Sequence, residues 1–381
     1  MKKVLMILFV LLLIAGTFLY YKREELFPKK EEKEVKEEEQ IPNYLFQEYY
    51  KQAKTLANQM TLEEKIAQLF LVRYDKNEVE KNKDLSPGGY ILFAKDFESN
   101  TKESMKKELE EVQSKNKYPL LLAVDEEGGY VTRVSRFPAY RKEKFSSPKY
   151  YYETGGYSLL EQTEKEKAQL LKSLGINLNL APVVDISTDE KDFIYNRSFG
   201  KNAEETAEFA KNMVTYANNN GISSCLKHFP GYGNNQDTHT GIAIDDRAYE
   251  TFLQEDFLPF QAGIKAQVPC ILVSHNIVKS IDEKYPSSLS AKVIQELRKT
   301  LGFTGIVMTD DLAMDAVKNY VENKEAATMA FLAGNDMIIT SDFSSMYQEM
   351  VHSVKEGKIK EEDITNAVIR ILSWKYKNKL F

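Results

Sequence analysis

Apolar residues recur along the chain in short, nearly continuous runs: Ile66–Tyr74, Gly89–Ala94, Pro119–Val124, Asn177–Asp185, Ile222–Lys227, Cys270–Ser274, Gly305–Thr309 and Met337–Thr340. Between them lie charged segments with apolar positions three and four apart, among them Leu159–Leu174, Ala203–Asn218, Tyr249–Ala266, Ala291–Leu301 and Glu361–Lys377. Continuous apolar runs predict strands buried on both faces, and the intervening pattern predicts amphipathic helices. Eight such units over about 330 residues predict a (β/α)8 barrel. A doubly wound open sheet is the alternative, but no G-x-G-x-x-G follows an early strand.

The polar residues closing these runs favour the barrel. Asp125, Asp185, Lys227-His228, Ser274-His275 and Asp310 each follow an apolar run directly. In a barrel such positions converge on the C-terminal face, where active sites are built.

The first 42 residues break the pattern. Val4 to Tyr21 is uninterruptedly apolar after Met1-Lys2-Lys3. Eighteen helical residues span about 27 Å, close to the hydrocarbon thickness of a bilayer. No small-residue cleavage site follows, and no nearby cysteine could carry a lipid. We therefore expect an uncleaved transmembrane anchor at 1–21 with the rest of the chain outside the cytoplasm; secretion after signal cleavage is the alternative. Lys22 to Gln40 is mostly charged, with both signs mixed, which predicts a solvated linker over 22–42. One catalytic domain is expected over 43–381.

Composition narrows the function. The 381 residues carry a formal net charge of -6, without the basic excess of a nucleic-acid-binding protein. The two cysteines, Cys225 and Cys270, both lie in apolar runs and read as buried free thiols.

Four segments carry candidate chemistry. Lys227 to His239 reads KHFPGYGNNQDTH and holds two of the four histidines. Asp237 and His239, two apart on a loop, suit a carboxylate that orients an imidazole for general acid/base work. Together with His228 they would equally suit a metal, and local hydrogen bonding is the plainest reading of all. Asp310 and Asp311 end a strand: one carboxylate can face the barrel mouth while the other caps the next helix. Asp125-Glu126-Glu127-Gly128-Gly129 with Arg133, and Asn196-Arg197-Ser198-Phe199-Gly200, offer carboxylates and guanidinium groups suited to sugar hydroxyls or an acidic substituent.

Taken together, K-H-F-P-G-x-G followed by D-[ST]-H, D-x-E-G-G-x-V-x-R, N-R-S-F-G and [ST]-D-D-L-x-M resemble family 3 glycoside hydrolases, specifically the NagZ-type β-N-acetylglucosaminidases. The resemblance runs from Thr61 to about Asp336. It implies a retaining exo-β-N-acetylglucosaminidase acting on peptidoglycan-derived GlcNAc-MurNAc fragments. Asp310 would be the nucleophile and His239, paired with Asp237, the acid/base. Asp125, Arg133, Arg197, Lys227 and His228 match positions that hold the terminal sugar. No metal or other cofactor is implied, the partner is a small carbohydrate, and a monomer is expected. The pattern departs at Tyr130, where the family often has Arg, and at Tyr232, where it often has His. A phosphorylase of the same fold and a non-catalytic wall-binding module are the rival readings.

Overall fold

The computed structural model describes residues 1–22, 43–233, 243–314, 317, 320–321 and 325–381, with the Leu19 side chain not described. The chain divides into Met1–Ile41 and Pro42–Phe381. In the first unit Lys2–Tyr21 is one helix of 20 residues. Among the described residues no helix is long and apolar enough to cross a membrane. The fold therefore gives the expected anchor no support. The expected linker lies almost wholly outside the described residues.

In the second unit all eight apolar runs form strands of one parallel sheet: β1 Phe70–Arg73, β2 Gly89–Leu92, β3 Leu121–Val124, β4 Leu178–Asn179, β5 Ser223–Phe229, β6 Cys270–Val273, β7 Ile306–Thr309 and β8 Ile338–Thr340. The spatial order is β8-β1-β2-β3-β4-β5-β6-β7. A parallel bridge between Met308 and Met337 joins the two ends, supported by bonds from Thr309 N to Met337 O and from Met337 N to Val307 O, both 3.1 Å. The sheet is a barrel, not an open doubly wound sheet.

Local sequence sets the helix starts. Thr61 and Glu64 form a reciprocal capping box ahead of Leu62–Gln68, satisfying two otherwise unpaired N–H groups. Ser147 caps the helix beginning at Pro148, and Asn202 caps Ala203–Asn219. The helix expected from Glu361 to Lys377 has those bounds. Two of the segments expected to be helical contain a π-helical turn, Phe252–Asp256 and Glu296–Thr300, a feature that apolar periodicity does not encode.

Cys225 and Cys270 are free and buried. They are register partners on β5 and β6, with their sulfurs 2.8 Å apart. Asp336 is a buried ionic hub. Its Oδ2 accepts from Arg298 Nη2 at 2.6 Å and its Oδ1 from Arg370 Nε at 2.7 Å, while Val307 N donates to Oδ2 at 2.9 Å. Burial raises its pKa, but Arg370 and Arg298 outweigh burial and hold it below the usual range. Removing that anion strands two guanidinium groups against the last helix and β7. Asp336→Ala should cost about 3–5 kcal/mol, read as a lower urea midpoint at unchanged m-value; a loss under 1 kcal/mol would contradict the hub.

Candidate active site

The C-terminal ends of the strands surround a cleft of about 510 Å3 whose lining includes Arg73, Phe93, Lys95, Asp125, Glu127, Arg133, Arg197, Lys227, His228, Asp310 and Asp311. Six side chains expected from sequence thus meet in one place: Asp125, Arg133, Arg197, Lys227, His228 and Asp310. Asp237 and His239 lie outside the described residues, so their positions carry no weight in this description.

The loop after β3 is folded by its middle carboxylate. Glu126 is buried; its Oε2 accepts from Arg133 N and Val134 N, both at 2.7 Å, and its Oε1 from Ser135 N at 3.2 Å. Its own N–H donates to Asn179 Oδ1 on β4 at 2.9 Å. Side chains of an extended segment alternate in direction. With Glu126 turned into the protein, Asp125 and Glu127 both line the cleft.

Lys227 joins those two carboxylates, its Nζ lying 2.7 Å from Asp125 Oδ1 and 2.7 Å from Glu127 Oε1. Burial pushes the ammonium pKa down, but Asp125 and Glu127 outweigh burial and raise it. Two of its three N–H donors are committed, leaving one for a ligand oxygen. Arg197 grips Glu127 in a bidentate pair, Nε to Oε2 at 3.0 Å and Nη2 to Oε1 at 2.8 Å. Burial opposes the Glu127 charge, but Lys227 and Arg197 overrule it and hold the carboxyl well below its usual range. Arg133 Nη2 lies 3.6 Å from Asp125 Oδ2, and its buried Nε has no hydrogen-bond partner among the described residues. Such a donor is costly until a ligand oxygen meets it.

His228 is held between a carboxylate and a guanidinium. Its Nδ1 is 2.7 Å from Asp185 Oδ2 and its Nε2 is 3.2 Å from Arg197 Nη2. Asp185 can only accept and Arg197 can only donate. Nδ1 therefore donates to Asp185, and Nε2 accepts from Arg197. Asp185 also accepts from His228 N at 3.2 Å and Tyr232 N at 2.8 Å. The Tyr232 ring, 1% exposed, stands edge-on to the imidazole at 5.0 Å. Tyr130 is 74% exposed and lines a neighbouring hollow with Lys144, Lys149 and Tyr195, not the cleft itself.

Asp310 and Asp311 both line the cleft. Asp310 lines the cleft, its backbone N–H bonded to Val273 O of β6 at 2.9 Å, and its Oδ1 accepts from Asp311 N at 2.8 Å. Asp311 turns to the backbone: its Oδ1 accepts from Ala313 N at 2.9 Å and Ser341 N at 3.1 Å.

Two strand endings do not join the cleft lining: Asp185, which is turned to His228, and Ser274-His275. His275 is buried, with Nδ1 2.7 Å from Ser288 Oγ and Nε2 3.0 Å from Asp311 O. Ser274 Oγ is spent on Phe229 O and Asn276 Oδ1. Both bend inward because the chain continues into the pairing of Ile277–Val278 with Ile244–Asp245. Conversely, the lining includes Glu127, which the Asp125–Gly129 motif contains but does not single out, and a wall of Arg73, Phe93 and Lys95. Glu127 was findable, since it shares Asp125's face of an extended segment. Arg73, Phe93 and Lys95 carry no local signal.

Among the described residues no group of three His, Cys, Asp or Glu side chains could hold a metal.

Below the cleft, Arg247 serves two carboxylates. Asp245 takes its Nε and Nη2, and Asp256 Oδ2 takes Nη1 at 2.8 Å. Burial pushes the Asp256 pKa up to about 7, against the pull of Arg247, and its Oδ1 has no partner among the described residues. A folded-state pKa above the unfolded one means the native state holds its proton longer, so this group's contribution falls as pH rises from about 4 to about 7. At 1.36 kcal/mol per unit the loss is roughly 4 kcal/mol at most. Asp256→Asn should flatten the stability–pH curve over that window; an unchanged slope in urea unfolding from pH 4.5 to 7.5 would refute this assignment. Glu127→Gln, which leaves Lys227 and Arg197 without their shared anion, should cost about 3–5 kcal/mol of stability, measured as a lower urea midpoint.

Comparisons agree with this geometry. The profile described as the glycosyl hydrolase family 3 N terminal domain matches residues 61–374. The chain is 31% identical over 277 residues to a protein named beta-hexosaminidase from Nitrosomonas eutropha, covering 70% of this chain and 77% of that one. It is 28% identical to a beta-hexosaminidase of Neisseria meningitidis serogroup C, covering 75% and 80%. A solved glycoside hydrolase family 3 beta-N-acetylglucosaminidase from Paenibacillus sp. superposes with a TM-score of 0.78 at 27% identity, covering 84% of this chain and 63% of that one.

Proposed function

The chain belongs to glycosyl hydrolase family 3 and is a glycoside hydrolase, and on that premise we propose that it is a retaining exo-β-N-acetylglucosaminidase releasing terminal GlcNAc from peptidoglycan-derived GlcNAc-MurNAc fragments. The observation that carries the reading is the single cleft in which Asp310 shares a wall-to-wall space with Asp125, Arg133, Arg197, Lys227 and His228.

The chemistry follows from the roles those groups can fill. The remaining Lys227 N–H, the unmet Arg133 Nε and the Asp125 carboxylate hold the hydroxyls of a terminal sugar, and their mutual ion pairs fix them in advance. Asp310 attacks the anomeric carbon, the bond to the leaving oxygen breaks, and a glycosyl ester forms. His239, oriented by Asp237, donates the proton to that oxygen and then removes one from the water that cleaves the ester. Retaining glycosidases commonly use a second carboxylic acid in this place. An imidazolium does the same work and is left as a neutral imidazole once it has given up its proton, so no second anion stands beside Asp310.

We further propose that the domain acts outside the cytoplasm, tethered through the Lys2–Tyr21 helix. Its support is the apolar run from Val4 to Tyr21 and the absence of acidic residues in the helix's first turn. Activity pelleting with membranes, and becoming soluble on deletion of residues 1–21, is the expected result; full activity in the soluble fraction of the intact chain would count against it.

For catalysis, Asp310→Ala should lower kcat/KM on 4-nitrophenyl GlcNAc by a factor on the order of 10^3 or more. His239→Ala should lose about 10^2- to 10^4-fold on substrates with poor leaving groups, and much less where the leaving group departs without a proton. Near-wild-type rates in Asp310→Ala would sink the mechanism.

A further inference from the structure

Beside the cleft lies a second hollow of about 270 Å3, whose lining includes Tyr130, Lys144, Lys149, Tyr195 and Asn196. It shares a wall with the cleft. Tyr130 lines the hollow while Val131, the next residue, lines the cleft; Asn196 lines the hollow while Arg197 lines the cleft. Consecutive Cα atoms are about 3.8 Å apart, so at both places the partition is one residue thick.

The side chains of the hollow are held in place. Glu127 N and Gly128 N both donate to Val131 O at 3.0 Å. They close a turn in which Gly128 and Gly129 have φ of 101° and 66°, a region that disfavours side chains. The turn leaves Tyr130 exposed. Gly129 N donates to Phe145 O at 2.9 Å, which brings Lys144 alongside, and Lys144 Nζ donates to Gly129 O at 3.0 Å. Lys149 Nζ donates to the Tyr195 hydroxyl and stands 4.3 Å from the centre of that ring. Its stem passes Gly200, where a Cβ would lie 3.0 Å from both Lys149 Cδ and Nζ.

Charge decides what the hollow takes. Both ammonium groups are placed by neutral oxygens, the Gly129 carbonyl and the Tyr195 hydroxyl, and each keeps two of its three N–H donors. Among the described residues neither lysine forms an ion pair, and the lining includes no aspartate or glutamate. Glu190 Oε1 lies 3.5 Å from the Tyr195 hydroxyl but is outside the lining. Two like charges in one hollow repel each other, and an anion set between them relieves the repulsion. At Tyr130, where the family often has Arg, this wall carries a neutral ring, and its positive charge comes from the two lysines.

We propose that the hollow is a subsite for a carboxylate carried by the leaving part of the substrate, bound by Lys144 and Lys149 with Tyr130 as the rim that part crosses. This rests on the reading of the cleft as the place where a terminal GlcNAc is cleaved off. An exo-acting cleft holds that one sugar, so whatever follows the broken bond lies over the rim.

The test is kcat/KM on two acids and on the methyl ester of each, which keeps the shape and removes the charge. GlcNAc-MurNAc carries its carboxylate on the lactyl group; GlcNAc-MurNAc-L-Ala-D-isoglutamine carries its only one on the peptide. The full chain should prefer at least one acid over its ester by about 10-fold at low ionic strength, and added salt should shrink the preference. The pair that shows it identifies the lactyl or the peptide carboxylate as the occupant. Lys144→Gln and Lys149→Gln should each lower that acid-to-ester ratio about 3- to 10-fold, and the double variant should abolish the preference. Lys149→Arg, which keeps the charge, should retain most of it. Equal rates on acid and ester in the unmodified chain, or a ratio unmoved in the double variant, would overturn the proposal. 4-Nitrophenyl GlcNAc, which has no carboxylate, is measured alongside. If the unmodified chain cleaves neither it nor the disaccharides, the glucosaminidase reading falls and the subsite with it; if it cleaves them and the ratio does not move, only the subsite falls.

Discussion

The cleft depends on one buried ammonium. Lys227 lies 2.7 Å from both Asp125 and Glu127, and neither partner is well exposed. Without Lys227 the two carboxylates, presented by one loop on the same face, would repel each other in a poorly solvated space. Without the carboxylates the ammonium would lose its charge to burial. Arg197 and Arg133 complete the balance by closing on Glu127 and Asp125. Groups that must be paired to exist in that place are also groups that cannot wander, and a sugar's hydroxyls require that fixity.

The rest of the barrel mouth is arranged around keeping this network in register. The pairing of β5 with β6 shifts between Leu226 and Phe229, where Lys227 and His228 stand. A bulge of that kind re-aims side chains next to active sites. Both residues line the cleft, although neighbours in a regular strand would face opposite ways. Asp185 then takes up His228 and the Tyr232 backbone together, so a strand-end carboxylate with no substrate role fixes an imidazole tautomer and the start of the following loop. Glu126 does the equivalent for the loop after β3. Each functional group at the cleft has its backbone or its charge held by another residue of this kind.

Much of this was legible in the chain. Eight apolar runs became eight strands because burial on both faces leaves a signal that needs no partner to be seen. The residues closing those runs were a fair guide to the cleft, since strand ends of a parallel barrel all emerge on one side. The guide failed at Asp185, which holds His228 instead, and at Ser274-His275, which precede the pairing of Ile277–Val278 with Ile244–Asp245. It was silent about Arg73, Phe93 and Lys95, since a lone arginine, phenylalanine or lysine carries no local signature. The wall they form exists only once β1 and β2 stand beside β3.

Sequence alone therefore determined the alternation of elements, the placement of chemistry at strand ends and, through its motifs, the family. These are properties written in the order of residues: apolar runs demand burial, and polar groups at their ends demand an outlet. Which charges meet was decided only by tertiary structure. Lys227 and Asp125 are 102 residues apart, and Arg197 and Glu127 are 70. No periodicity reaches across such separations, and the closing of the sheet into a barrel is what brings them within hydrogen-bonding distance.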